Sequence, residues 1–288
     1  MNFIKKLYGN IISMRWELGI YVFNESPLEF DENKIEWIKN PYKDRWFADP
    51  FILRQEENFI FVLVEELRYK HPIGRIAKLK IDLSSMTIVD MKIILELSTH
   101  LSFPAILRKD GKVYVYPENC YGGKQDIYEY DEKNEQLILK RTICEDVIWD
   151  SIMTDWFGKN QLWTSHQDDY HLDIYEWNGE KFVFSHSVIS EEKNSRMAGV
   201  LFRVGNDVFY PAQVCNHHYG EAVVIKKIIQ KGNTFSLIPV KTFRSSHPIL
   251  KEGFHTFNVY NGMVIVDAHG YNYPIIGKYL HKLVKSIY

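Results

Sequence analysis

Cysteine is scarce in this chain. Cys120, Cys144 and Cys215 are the only three in 288 residues, and their wide spacing makes neither a disulfide framework nor a zinc-binding pattern. Free thiols fit a reducing compartment. A long hydrophobic run is also missing. The apolar stretch after Lys5 and Lys6 is short, is broken by Gly9 and Asn10, and is followed by no small-residue cleavage site. It reads as neither a signal peptide nor a membrane span, which makes the cytoplasm the expected location. Charge of one sign is not in excess, with 35 Lys and Arg against 37 Asp and Glu. No basic stripe exists, so a nucleic-acid partner is not expected. There is no Gly-rich phosphate loop and no nucleotide-binding sheet pattern. No Ser or Cys nucleophile constellation stands out.

Hydrophobic residues make up 45% of the chain, ample for one large core, and aromatic residues make up 15%. Such rings fill strands, and they also suit sugars, whose C–H faces pack on them. One phrase recurs five times: a polar or small residue, a short apolar strand, a turn, a second apolar strand and a closing polar residue. The copies open at Asp49-Pro50, Ser102-Phe103-Pro104, Asp150-Ser151, Arg196-Met197-Ala198-Gly199 and His255-Thr256. They close at Glu65-Glu66, Glu118, Ser165-His166, Gln213 and Asp267. Asp110-Gly111, Gly205-Asn206 and Asn261-Gly262 supply hairpin turns, because these residues tolerate positive φ.

More strand-like text follows most copies. Asp126-Ile127-Tyr128-Glu129-Tyr130 and Asp173-Ile174-Tyr175-Glu176-Trp177 are nearly identical. About four strands per roughly 50 residues is the period of propeller blades. The expected fold is therefore all-β: one five-bladed β-propeller spanning residues 1–288. The blades fall at about 46–97, 98–145, 146–190, 195–243 and 250–270, the last closed by the spare strand 17–23. The periodicity predicts one helix, over 273–288, with Ile276, Leu280, Leu283, Val284 and Ile287 on one face and Lys278, Lys282 and Lys285 on another. It can pack on the propeller or touch a membrane surface or partner.

In a propeller the innermost strands converge on the axis. The repeat thus brings Asp49, Glu65, Glu66, His100, Ser102, Glu118, Asp150, His166, Arg196, Gln213, His255 and Asp267 to one mouth. Burying unpaired charge is costly, so this recurrence predicts a wet functional pocket. Paired carboxylates are the equipment of glycosidic chemistry. Candidate catalytic residues are Asp49, Asp150, Glu118 and Glu66. Candidate substrate contacts are Trp46, His100, Ser102, His166, Arg196, Gln213, Tyr219 and His255. His217-His218 beside Cys215 matches no common zinc spacing, and no metal ligands are assigned.

Trp46-Phe47-Ala48-Asp49-Pro50 at the head of a first blade resembles glycoside hydrolase families 43 and 32, the five-bladed furanosidase superfamily. A nearer resemblance is to the N-terminal domain of the inositol phosphorylceramide glucosamine transferase type, found also as stand-alone bacterial proteins. It rests on Ala48-Asp49-Pro50-Phe51, Val64-Glu65-Glu66, Gly74-Arg75-Ile76, residues 100–104, Pro117-Glu118, Asp126-Ile127-Tyr128, residues 196–199, residues 211–215 and Tyr219-Gly220.

The superfamily resemblance implies Asp49 as base or nucleophile and Asp150 as a tuning carboxylate. Where the superfamily carries its general acid, this chain has Arg196, which cannot donate a proton but can grip a phosphate or carboxylate. Glu118 or Glu66 would then supply the acid. The resemblance also implies an axial calcium ion near His255, though no cofactor is otherwise expected. Two functions follow as expectations. One is a carbohydrate-active enzyme that cleaves or transfers a glycosyl group in cell-surface glycan synthesis. The other is a glycan or sugar-phosphate binding module serving a partner glycosyltransferase.

Overall fold

A computed structural model describes residues 14–285, without the side chains of residue 278 and residues 281–285. The first 13 residues, where the leader reading falls, and residues 286–288 of the expected helix lie outside the described residues.

The described chain is five antiparallel sheets. It begins with β1 (Met14–Val22) and the two-residue β2 (Glu36–Trp37). Blade one follows as β3 (Arg45–Glu56), β4 (Phe59–Arg68), β5 (His71–Asp82) and β6 (Thr87–Leu95). Blade two is β7 (Ser102–Lys109), β8 (Lys112–Glu118), β9 (Gln125–Asp131) and β10 (Gln136–Cys144). Blade three is β11 (Trp149–Thr154), β12 (Gln161–Ser165), β13 (His171–Trp177) and β14 (Phe182–Ile189). Blade four splits its inner strand into β15 (Arg196–Met197) and β16 (Phe202–Val204), both against β17 (Asp207–Val214), then β18 (Ala222–Lys231) and β19 (Thr234–Phe243). The fifth sheet joins β20 (Phe257–Tyr260) and β21 (Met263–Tyr271) to β1 and β2, in the order β20-β21-β1-β2. The structure is the all-β, five-bladed propeller with a C-terminal helix.

Each sheet is covered on both faces by its neighbours nearest the axis, so its inner strands carry near-continuous apolar runs. Val62, Leu63 and Val64 in β4 are fully buried. The core is a set of clusters in the seams. Leu18, Ile20 and Met263 of the fifth blade pack with Ile52, Ile60 and Val62 of the first. Trp163, wholly buried in blade three, lies against Phe157 and Phe235. Inner strands meet around the axis, and Phe257 N–H donates to Ala198 O at 2.8 Å between blades five and four. Gly199 makes this approach possible, since a Cβ there would stand 2.3 Å from Phe257 O.

The C-terminal helix is α1 (Pro274–Lys285). Ile275 is 88% exposed, and Ile276 and Tyr279 are exposed too. No helix among the described residues is long and apolar enough to cross a membrane.

Candidate functional site

Three blades open with a residue in the left-handed region: Asp49 at φ 50°, Phe103 at φ 42° and Asp150 at φ 36°. None is glycine, so each position is strained. Each coincides with a register shift in the inner hairpin, between Ala48 and Phe51, Ser102 and Ala105, and Trp149 and Ser151. A bulge of this kind re-aims a side chain, here towards the hub.

The strained N–H groups are held by acids. Asp49 N–H donates to Asp267 Oδ2 at 3.0 Å, Phe103 N–H to Asp49 Oδ2 at 3.1 Å, and Asp150 N–H to Glu118 Oε2 at 2.9 Å. In blade four, Met197 N–H donates to Ser165 Oγ at 2.8 Å. The residue closing the second strand of one blade therefore latches the opening of the next in three of the five seams. The hub polar residues hold the blades together as well as lining a site.

One half of the hub centres on His255. Its Nδ1 lies 2.8 Å from Asp267 Oδ1, and its Nε2 lies 3.6 Å from Asp49 Oδ1. Asp267 also accepts from the N–H groups of His255 and Thr256 and from Thr256 Oγ1. Trp16 stacks on His255 at 3.9 Å and on His269 at 4.4 Å. Burial raises the Asp49 carboxyl to about 7, with the charges of Glu65, Asp150 and Asp267 adding to the rise and His255 opposing it. Burial works against a charged His255, but Asp267 and Asp49 outweigh it and lift the imidazole to about 9. Asp267 stays below its ordinary value despite burial, because His255 faces it. Burial and the His255 charge together lower His269 to about 4.

The other half centres on Arg196. Its Nε stands 2.7 Å from Asp150 Oδ2, its Nη1 3.7 Å from Asp169 Oδ1 and its Nη2 4.0 Å from Glu118 Oε2. The Nε contact is a close ion pair whose hydrogen-bond alignment is poor. Gln213 donates to Met197 O at 2.8 Å, leaving its buried Oε1 unpartnered, as is Asn119 Oδ1. Orphaned polar atoms of this kind call for water or a ligand. The Tyr219 ring, 50% exposed, lies 5.2 Å from the guanidinium carbon and edge-on to His255 at 5.5 Å. Burial and the Asp150 charge push the Glu118 carboxyl well above its ordinary value, against the pull of Arg196. A groove of about 910 Å³ between blades two and three is lined by none of these groups.

Residues 36–262 match the family described as "Glucosamine inositolphosphorylceramide transferase 1, N-terminal". The chain belongs to this family. Glucosamine inositolphosphorylceramide transferase 1 of Oryza sativa subsp. indica is 24% identical over 249 residues, covering 74% of this chain and 33% of the rice protein. The Arabidopsis thaliana protein of the same name is 24% identical over 259 residues, covering 74% of this chain and 32% of its own length. The chain thus spans about a third of the curated relatives it matches. Among solved structures, the RS223 β-xylosidase aligns with a TM-score of 0.54 at 7% identity, over 79% of this chain and 92% of its own. The GH43_1 enzyme from Xanthomonas citri complexed with xylose aligns with a TM-score of 0.53 at 9% identity, over 77% of this chain and 86% of its own.

In this member of the transferase N-terminal family, Asp49, Glu118, Asp150, Arg196, Gln213, Tyr219 and His255 gather at the hub. Ser102 pairs with Glu118 in the β7–β8 ladder. Glu65 binds His100 Nε2 at 3.1 Å, and Gly74 N–H donates to His100 Nδ1 at 3.0 Å. Glu65 raises the His100 pKa, although the Gly74 contact favours the neutral ring. Glu66 corrects an expectation. It is fully buried, Arg45 takes one oxygen at 2.9 Å and Arg75 takes the other at 2.8 and 2.9 Å, so both oxygens are committed to arginines and neither is offered to a ligand. Trp46 is half-buried opposite Leu67 in β3, and His166 pairs with Asp168 on a rim loop. The sequence reading missed Trp16, Asn119, Asp169 and Thr256. Of these, Asp169 lies three residues after His166, and Trp16 immediately precedes the spare strand.

Proposed function

We propose that the hub takes a carbohydrate carrying a phosphate or other anionic group and cleaves or transfers its glycosyl unit, in cell-surface glycan or glycolipid synthesis. The observation that carries this reading is Asp49, a buried carboxyl raised to about 7 beside an imidazole raised to about 9. Such a group exchanges protons near neutral pH, as a general acid–base requires. Glu118, whose carboxyl burial and the Asp150 charge push upward, is the remaining proton donor of the hub. Asp150 sets the charge felt by both and holds Arg196. The guanidinium, held by Asp150 at Nε with Asp169 and Glu118 at 3.7 and 4.0 Å from its Nη atoms, grips the anionic substituent in a way lysine could not reproduce. The relatives named as transferases and the propellers aligned with xylosidases are consistent with sugar chemistry.

The test is turnover and binding on glycosyl phosphates, nucleotide sugars and neutral glycosides. Asp49→Asn is expected to lower turnover at least about 100-fold while binding holds. Arg196→Lys is expected to weaken phosphorylated ligands more than neutral ones. Turnover unaffected by Asp49→Asn ends the assignment.

A second reading has its own observation. Glu118 is latched to Asp150 N–H, Glu66 is locked by two arginines, and blade four offers Arg196 instead of an acid. A hub so tied binds a sugar phosphate and presents it to a partner glycosyltransferase. Tight binding with no turnover in the wild type selects this reading.

A further inference from the structure

The loop between β12 and β13 carries chemistry that the hub does not use. It contains a His-x-Asp-x-x-His spacing at His166, Asp168 and His171. The loop is shaped by its own acid: Asp168 Oδ1 accepts the N–H of Tyr170 at 3.0 Å and of His171 at 3.2 Å. Asp169 turns the chain at φ 61°. Both imidazoles end up against one carboxylate, with His171 Nδ1 2.7 Å from Asp168 Oδ2 and His166 Nδ1 3.0 Å from Oδ1. Donor atoms of all three residues lie within 4.8 Å of one another.

Two features set this group apart from an ordinary His–Asp pair. The first is spacing. A metal about 2.0–2.2 Å from each ligand places neighbouring donor atoms about 3 Å apart, close to the separations seen. The second is a conflict at His166 Nδ1. It accepts the Asp168 N–H at 3.3 Å, so it presents a lone pair, yet it also faces the lone pairs of Asp168 Oδ1 at 3.0 Å. A proton on Nδ1 would satisfy the carboxylate and set N–H against N–H. A cation between the two atoms removes that repulsion, with the Nδ1 lone pair then directed at the ion instead of the Asp168 N–H. The side chains of His166, Asp168 and His171 are 45%, 38% and 32% exposed, so an ion has access and keeps open positions.

We propose that His166, Asp168 and His171 bind a divalent transition-metal ion, zinc being the reference, with the remaining positions left to water or a ligand. Two imidazoles and one carboxylate suit zinc, cobalt, nickel or ferrous iron better than the hard, oxygen-seeking calcium or magnesium. The site adjoins the hub, because Asp169 O accepts Ser195 N–H at 3.0 Å and the Asp169 carboxylate lies 3.7 Å from Arg196. An ion that fixes the loop therefore braces the arginine. The proposal stands whichever function the hub performs.

The experiment uses the full chain without an affinity tag. Zinc binding is followed by calorimetry, and cobalt(II) substitution by its visible spectrum. One equivalent is expected to bind, His166→Ala and His171→Ala each weakening it at least about tenfold. His217→Ala/His218→Ala, which removes the other histidine pair at the surface, is expected to bind as wild type. Circular dichroism checks that each variant is folded. Four results would overturn the site: no zinc binding by the wild type, undiminished binding in the folded His166 and His171 variants, loss of binding in the His217/His218 variant, or a thiolate charge-transfer band with cobalt.

Discussion

At the scale of the residue, the hub is ruled by which charges are buried together. His255 gains a proton in the native state that it lacks when unfolded near neutral pH, since its folded value is about 9 against an ordinary 6.5. Its contribution is therefore complete below 6.5 and is lost as pH rises through about 9. Asp49 works in the same direction up to about 7, while Lys226, lowered by burial to about 8, works in the opposite direction above that value. Between pH 6.5 and 8 the His255 slope is least opposed. We expect stability to fall by about 1–2 kcal/mol across that window, and the slope to be smaller in His255→Gln, where the Asp49 contribution remains; urea titrations at the two ends check this.

Gly220 guards the same imidazole. It sits at φ +60°, and a Cβ there would stand 2.7 Å from His255 Cβ. Gly220→Ala should cost about 2 kcal/mol by denaturant melting. The sequence marked Tyr219-Gly220 as a feature, but not which ring the glycine makes room for.

At the scale of the element, local code was largely legible. Asp110-Gly111 and Asn261-Gly262 take positive φ at both positions, as their chemistry predicts. The bulges at Asp49, Phe103 and Asp150 were not legible, because their strain is held by partners 54 residues away for Phe103, 32 for Asp150 and 218 for Asp49. The latches give a test of their own. Ser165→Ala leaves the buried Met197 N–H without an acceptor, which should cost about 1–3 kcal/mol. An unchanged urea midpoint would show that this seam does not depend on the latch. The closing strand β2 offers only Glu36 and Trp37 to its sheet, too short a run for any period to show.

At the scale of the whole molecule, the ring is closed by β1 lying against β21 in unbroken register from Met14–Tyr271 to Val22–Met263. Without β1, the last blade would keep a two-stranded hairpin, which is marginal by itself and exposes an edge. Leu18 and Ile20 would leave their seam, and Trp16 would leave His255. Deletion of residues 1–22 is expected to abolish cooperative unfolding, seen as loss of the near-ultraviolet dichroism and rapid proteolysis. A shortage of strands in the fifth repeat and an isolated apolar segment near the start were both visible in the sequence; the pairing that joins them belongs to the sheet.

The sequence by itself determined the repeat, the hairpin turns and the blade count. Each of these follows from short-range period and turn chemistry. Only the tertiary structure decided that Glu66 is neutralised by Arg45 and Arg75, that Asp150 is committed to Arg196, and that His255 rather than a further acid faces Asp49. Burial and through-space separation set those outcomes, and neither scales with distance along the chain.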